Sequence, residues 1–493
     1  MNKPTEPKRF PAWLRGLGWL AFGILGLVTV LLVGRWLVMN GGHQEAMGIV
    51  KAQQKKPVAR IAAATATAAV QAGATQCMSL ASVPFFGEVL TGDEKGWKDL
   101  SKKIDEMNDF LRHKRTLPEK VDGVWSFRAI LQNMGTNVPE TMTEAEAAAE
   151  YLRQADRFSG LLAQWREAVL KGPLDKVTDD SSDPNIWRFS NLAYTFSRLL
   201  TMTAEARLHA GDTAAAWADW QTLKNSTERV SELFPTGSGH DGLMTYQMFG
   251  LARSGVQSGA WTDDQLTELS SVAARENILS SVLREQEREK KSITDYYTHF
   301  HEHEEQFSKD FLKTPSPFNQ MMNQVKLKLI TDQQIQDNLD MRLYEVDQRL
   351  SRFDPETGFY VQPAKDDLTE TKASSDVVGS FYFMISDLNG GHGDGDQTAR
   401  DVIRFQSEYD QLRLAAALET YQHRTGSYPD HLEAVSGQFP NGAPLDIATG
   451  QPYFYQRDAD GGYNLWGTGI DGKSEGGNEK TDITWKHRPV KRK

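Results

Sequence analysis

A single cysteine, Cys77, in 493 residues excludes any intramolecular disulfide, so the fold must rest on packed side chains and on whatever a metal adds. Cys77 follows Gly73-Ala74-Thr75-Gln76, which lacks the apolar residue of a lipid-attachment box, and reads as incidental. Basic charge is also scarce. Lysine and arginine number 55 against 66 acids, a net charge of −11, which argues against a nucleic-acid binder, since phosphate neutralisation needs a basic face. Catalytic signatures are missing as well: there is no His-Glu-x-x-His pair and no evident serine nucleophile with its base. A spatial triad does not declare itself in one sequence, so these absences weigh only lightly against an enzyme. Long apolar runs are rare, and the mean hydropathy of −0.52 fits one such run diluted by a large polar remainder.

That run is Gly16 to Gly34, uncharged and about the length a helix needs to cross hydrocarbon. Trp13, Trp19 and Trp36 lie near its ends, where indoles favour the interface. Lys3, Lys8, Arg9 and Arg15 against Glu6 favour a cytoplasmic N-terminus, although Arg35, Lys51, Lys55 and Lys56 follow the span. A cleaved signal peptide is the rival reading. Its apolar region would be shorter and would end at a small-x-small site, whereas Ala62 to Ala64 lies far downstream. The sequence thus predicts a cytoplasmic tail at 1–15, a transmembrane anchor at 16–38 and an exposed Ala/Thr-rich linker at 39–92. The remainder is expected on the periplasmic side of a bacterial inner membrane.

The expected fold class is mainly α, with this N-terminal transmembrane helix, a helical-hairpin middle over 93–380 and a small α+β C-terminal domain. Phe189, Leu192, Phe196, Leu199 and Leu200 share one helix face, followed by Ala204 and Leu208. Gly211 is placed to close that helix in the left-handed region, Asp212 or Thr213 to cap the next, and Ala216, Trp220 and Leu223 to line its inner face. The stretch Ala204 to Leu223 weakly resembles a tetratricopeptide hinge, but no second copy recurs near 34 residues, so a generic helix pair explains it too. Stacked hairpins of either kind offer surface for protein partners. Pro315-Ser316-Pro317 interrupts the later helices, and the run Arg284 to Lys291 reads as a solvated face.

Two local clusters suggest metals. His299 and His303 would sit one turn apart on a helix, with Asp295 a turn earlier, yet an exposed polar helix accounts for His299 to Glu305 equally well. Asp387 to Asp396 begins like an EF-hand loop but has Gly391, His392 and Thr398 where the loop needs other residues. A Gly-rich connection at 381–397 is the simpler reading, with Thr398 and Asp401 forming a capping-box-like helix start.

From Thr398 to Arg424, Val402, Phe405, Tyr409, Leu412 and Ala416 form a helical stripe, widened by Leu414, Leu418 and Tyr421 and ended by Gly426. Turns at Ser436-Gly437, Pro440-Asn441-Gly442 and Gly461-Gly462 then frame short strands at Pro452 to Gln456 and Tyr463 to Trp466. The order of that helix, Gly426-Ser427-Tyr428-Pro429, Pro444-Leu445-Asp446, Gly450-Gln451-Pro452-Tyr453, Tyr463-Asn464-Leu465-Trp466, Gly469-Ile470-Asp471-Gly472, Gly476-Gly477 and Asp482-Ile483-Thr484-Trp485 resembles the soluble head of the major type II secretion pseudopilin. The resemblance covers 398–485, leaving a basic tail at 486–493. It implies a C-terminal loop that binds calcium structurally, with Asp471 and Asp482 at the matching acidic positions and main-chain carbonyls beside them. Without the resemblance, Asp471 makes a turn with Gly472 and Asp482 is a surface acid.

The pattern departs from a pseudopilin at the other end. The apolar run lacks the glutamate that governs assembly, and a long helical stretch separates it from the matching helix. The chain as a whole is similar to large bacterial envelope proteins. The expected role is therefore an interaction or assembly component with protein partners in the envelope, held to the membrane by its N-terminal helix. The rival is an envelope metalloenzyme or hydrolase using the helical region and His299 to Glu305.

Overall fold

The computed structural model describes residues 94–112, 126–170, 184–233, 241–275, 278–298, 395–440 and 442–488, with single positions and short runs between 336 and 361. The expected anchor at 16–34, Cys77, the His299–Glu305 cluster, the Pro315–Pro317 interruption and Asp387–Asp394 lie outside these residues. Among the described residues no helix is long and apolar enough to cross a membrane. The architecture is mainly helical, with a small antiparallel sheet near the C-terminus.

The helices are α1 (Glu94–Arg112), α2 (Phe127–Asn133), α3 (Glu144–Ala155), α4 (Ser159–Leu170), α5 (Pro184–Ala210), α6 (Thr213–Leu233), α7 (Asp241–Gln257), α8 (Asp263–Arg275), α9 (Ile278–Thr298) and α10 (Gly395–Thr425). Local chemistry fixes several ends. A capping box opens α3, in which the Glu146 amide donates to Thr143 Oγ1 at 3.2 Å and the Thr143 amide donates to Glu146 Oε2 at 2.7 Å. The Glu144 carboxylate accepts from the Ser126 hydroxyl and the Phe127 amide at 2.7 and 2.8 Å, tying the start of α2 to that of α3.

Described residues from 94 to 288, 358–360 and 400–488 form one unit, and those from 289 to 357, 361 and 395–399 form another. In the second, Ile293, Leu339 and Val346 make a small apolar cluster, and Lys290 pairs with Asp347.

The first unit is built around α5, which meets α1, α3, α6 and α7. Between Leu192 and Ala206 nearly every side chain is buried, so this helix has no solvent face and packs on all sides. Gly211, at φ +81°, ends it, and Asp212 Oδ1 accepts the Ala215 amide at 3.2 Å to start α6, giving an antiparallel hairpin. Leu192, Phe196, Leu199, Leu200 and Ala204 are buried on α5, as are Ala216, Trp220 and Leu223 on α6. Trp165 of α4 stacks on Phe196 at 4.8 Å while its indole donates to Ser226 at 2.9 Å. Asp219, wholly buried on α6, is clamped by Arg166 of α4 and Arg207 of α5, with Thr203 donating at 3.3 Å. Burial pushes this carboxyl above its ordinary range and the two guanidiniums oppose that, so Asp219 holds three helices only while both cations stay in place.

A second core in the same unit joins α6, α7 and α8 to α10 and the sheet. It contains Trp220, Phe249, Leu266, Tyr409, Leu414, Leu418, Tyr463, Leu465 and Trp485. Residues Leu414 to Thr420 are buried without a break, so α10 carries apolar neighbours on both sides there. The helix begins at Gly395, upstream of the expected start at Thr398, so Thr398 lies within it rather than capping it; Gly426, at φ +83°, closes it as expected. The strands are β1 (Phe454–Arg457), β2 (Tyr463–Gly467) and β3 (Ile483–His487), in the order β1-β2-β3. Leu465 lies opposite both Tyr455 and Trp485, which sets the inner face. The free edge of β3 is covered by α7: Arg253 donates to the Thr484 carbonyl at 3.2 Å and Gln257 to the Lys486 carbonyl at 3.5 Å. The Arg253 guanidinium also lies 4.7 Å from the Trp485 ring centre.

Gly255 explains how α7 closes against the turn that follows it. The Trp261 indole lies flat against this position, with its N–H donating to the Ala252 carbonyl at 3.0 Å and its ring edge-on to Trp217 at 5.2 Å. A methyl group there would overlap the indole. Gly255→Ala should therefore cost about 1–3 kcal/mol through overpacking, despite the helix propensity it gains. Chemical denaturation checks this; a variant as stable as the parent would show that the ring moves aside freely.

Candidate metal centre

The loop from Gly469 to Asp482 joins β2 to β3, and its composition leaves little apolar surface with which to order itself. Polar contacts order it instead. Gly472, at φ +66°, donates its amide to the Gly469 carbonyl at 3.0 Å, and Asp471 Oδ1 accepts the Lys473 amide at 3.2 Å, making a compact turn. The Trp466 indole donates to Ser474 Oγ at 2.8 Å, and Gly477 lies against the same indole, so the outer face of the sheet supports the middle of the loop. Phe454, opposite Trp466 in the register, stacks on it at 5.5 Å.

Asp482 closes the loop from the other end. Its Oδ2 accepts the amides of Gly477, Asn478 and Glu475 at 2.7, 3.1 and 3.1 Å, and Oδ1 lies 3.3 Å from the Glu475 amide. The residue is only 5% exposed, which sets aside its reading as a plain surface acid. Asp471 does make the turn with Gly472. Gly469 sits so close to the Thr481 carbonyl that any side chain there would force the neck of the loop apart, and Asp471 Oδ1 borders the same point at 3.9 Å.

A third acid, Glu475, joins these two. Burial and a hydrogen bond with Asp482 push its carboxyl up, and the charges of Asp471 and Asp482 act in the same sense, against a contact with Thr481. Mutual repulsion of this kind is what a bound cation relieves. The donors present are hard oxygens, carboxylate and carbonyl, of the type calcium takes at about 2.3–2.6 Å. They fit calcium by chemistry. Asp482 Oδ2 is already filled by amides, so Asp471, Oδ1 of Asp482 and the carbonyls at the neck are the oxygens left for a cation. Among the described residues no three acidic or histidine side chains lie close enough together to hold a metal by themselves.

Of the other candidates, Asp295 is exposed on α9, while His299 to Glu305 fall outside the described residues. Sequence reasoning passed over Glu475, which directly precedes Gly476-Gly477. It also passed over a buried group in the sheet core, Glu419, Tyr428, Tyr463 and His487, which no local motif announces. Compared with protein-family models, curated proteins and solved structures, the chain matches none.

Replacing Asp482 with Ala would leave three amides without their acceptor, at a cost of about 1–3 kcal/mol. Asp482→Ala should open the loop to trypsin at Lys473 and Lys480 faster than the parent chain, read by limited proteolysis with mass spectrometry. Equal cleavage rates would mean that the loop holds its shape without that carboxylate.

Proposed function

We propose that this chain is a membrane-anchored periplasmic interaction or assembly component whose C-terminal part is a pseudopilin-like module stabilised by calcium. The observation that carries this reading is a helix followed by a three-stranded sheet whose second and third strands are joined by a glycine-rich loop, with Asp471 and Asp482 near the two ends of that loop. Calcium bridging the turn at Asp471 to the strand entry at Asp482 would act as a staple and would take no part in bond-making. Support for a binding role comes from the helical hairpins. Ala204 and Ala216, wholly buried either side of the α5–α6 turn, let two helices approach as tetratricopeptide-like pairs do, and layers of such helices present side chains to other proteins. The uncharged run at 16–34 supports an anchor that leaves this body outside the cytoplasm of a bacterial cell.

Because α10 shares its core with α6–α8, the calcium test belongs on the full chain in detergent rather than on an excised C-terminal fragment. A ligand that binds only the folded form at a hundredfold excess over its Kd adds about 2.7 kcal/mol of stability. The full chain should melt higher in calcium than in chelator. Asp471→Asn should remove the difference while leaving the chelator melting point near that of the parent, since Asp482 still closes the loop. A parent melting point indifferent to calcium would refute the metal and leave the fold reading to stand alone.

The placement is tested separately. A C-terminal alkaline phosphatase fusion in a bacterial host should be active and a cytoplasmic reporter at the same point inactive. The reverse pattern would overturn the proposed topology.

A further inference from the structure

An acid, two phenols and an imidazole from four parts of the chain meet beneath the sheet. Glu419 of α10 and His487 of β3 are almost wholly buried. Tyr428, from the turn after α10, places its hydroxyl 2.9 and 3.0 Å from the two Glu419 oxygens and 2.9 Å from His487 Nε2. Tyr463 of β2 donates to Glu419 Oε1 at 3.3 Å and stacks on the His487 ring at 5.1 Å.

The charged and titratable groups around them are engaged elsewhere. His423 of α10 contacts Asp263 of α8 at 2.7 Å. Asp430, beside Tyr428, pairs with Arg457 of β1 at 3.0 Å, and Tyr455 of β1 donates to the Pro429 carbonyl. Arg253 of α7 donates to the Thr484 carbonyl of β3. Among the described residues an ionised Glu419 would thus have only the charge of His423 to oppose its burial, and that imidazole is already drawn to Asp263. His487 is no substitute. Its Nδ1 lies 3.8 Å from Glu419 Oε1, too far for a hydrogen bond, and has no partner, so an imidazolium would bury one N–H unsatisfied.

We propose that Glu419 and His487 form a proton-matched pair: in mildly acidic conditions the folded chain keeps one proton on Glu419 and none on His487, so these two groups make folding neither take up nor release a proton. Burial pushes the Glu419 carboxyl from 4.5 up to about 7, against the hydrogen bond from Tyr428, the charge of His423 and the hydrogen bond from Tyr463. Burial also pushes the His487 imidazole from 6.5 down to about 4. Glu419 alone contributes stability that is complete below its unfolded value and lost as pH rises through its folded one. His487 alone contributes stability that is complete above its unfolded value and lost as pH falls through its folded one. The windows overlap and the signs are opposite, so the pair removes a pH dependence that either member alone would impose.

The test is denaturant unfolding of the full chain in detergent between about pH 4.5 and 6.5, for the parent, Glu419→Gln, His487→Gln and the double variant. Relative to the double variant, the parent should be flat. The unfolding constant of His487→Gln should rise with pH, and that of Glu419→Gln should rise as pH falls, each by up to about tenfold per pH unit. Single variants that run parallel to the double variant would overturn the pairing. A second readout needs no substitution. In the chain labelled with 15N-histidine, the His487 resonance, assigned through Lys486, should remain that of a neutral ring at about pH 5. An ordinary histidine titration at that residue would equally refute the proposal.

Discussion

Burial of α10 on two sides at once is the constraint on which the first unit depends. A helix packed on one layer keeps a polar face, but from Leu414 to Thr420 this one has none. It shares one core with Leu465 and Trp485 of the sheet and with Trp220 of α6, Phe249 of α7 and Leu266 of α8. Removing either layer would return a wide apolar stripe to water, at roughly 25 cal/mol for each Å² exposed. The three-stranded sheet is likewise too small to be stable without a helix to cover it. Helical body and C-terminal sheet are therefore parts of one folding unit, and Arg253 and Gln257 extend the union to the free edge of β3.

The same dependence shows why the C-terminal helix and sheet could not behave as a separate domain. Aromatic contacts fix α10 to α7, with Phe249 and Tyr409 ring centres 4.0 Å apart, and the Trp217–Trp220 stack packs against Trp261 just behind. Surface that a small independent domain would present to neighbours is spent on its own chain. Apolar surface that the first unit still offers includes Leu170, Leu243 and Tyr246 on its helices and, on the outer face of the sheet, Phe454, which is 41% exposed.

Legibility in the sequence followed the range of each interaction. The α5–α6 hairpin was readable because its signals are local: apolar spacing, Gly211 in the left-handed region and Asp212 as cap. β1 and β2 were readable from turn residues and aromatic alternation. β3 was not foreseen as a strand, because its five residues gain their order from pairing with β2 and from α7, more than two hundred positions away in the chain. The shared core was hidden for the same reason, since apolar spacing shows that a face is buried but not what buries it. Asp471 and Asp482 could be named from an ordered set of short motifs, whereas Glu475 emerges only when the loop folds back on itself. Glu419 and His487 lie far apart in sequence and in unremarkable surroundings, and only the meeting of helix and strand makes them a pair.

Two carboxylates show how loops this poor in apolar residues keep their shape. Asp446 accepts the Thr468 amide and hydroxyl, each at 2.8 Å, and the Ala448 amide at 3.0 Å, fixing the Pro444–Pro452 segment to the end of β2. Asp482 does the same for the next loop with the amides of Glu475, Gly477 and Asn478. A charge-assisted bond from a backbone amide is worth more than a neutral one, so an acid ringed by amides is a staple that needs no metal. Calcium at Asp482 would have to share a carboxylate already committed to the chain. Its gain would come from quieting the repulsion among Asp471, Glu475 and Asp482, which the amides leave in place. The amides on Asp482 thus set the path of the loop by themselves.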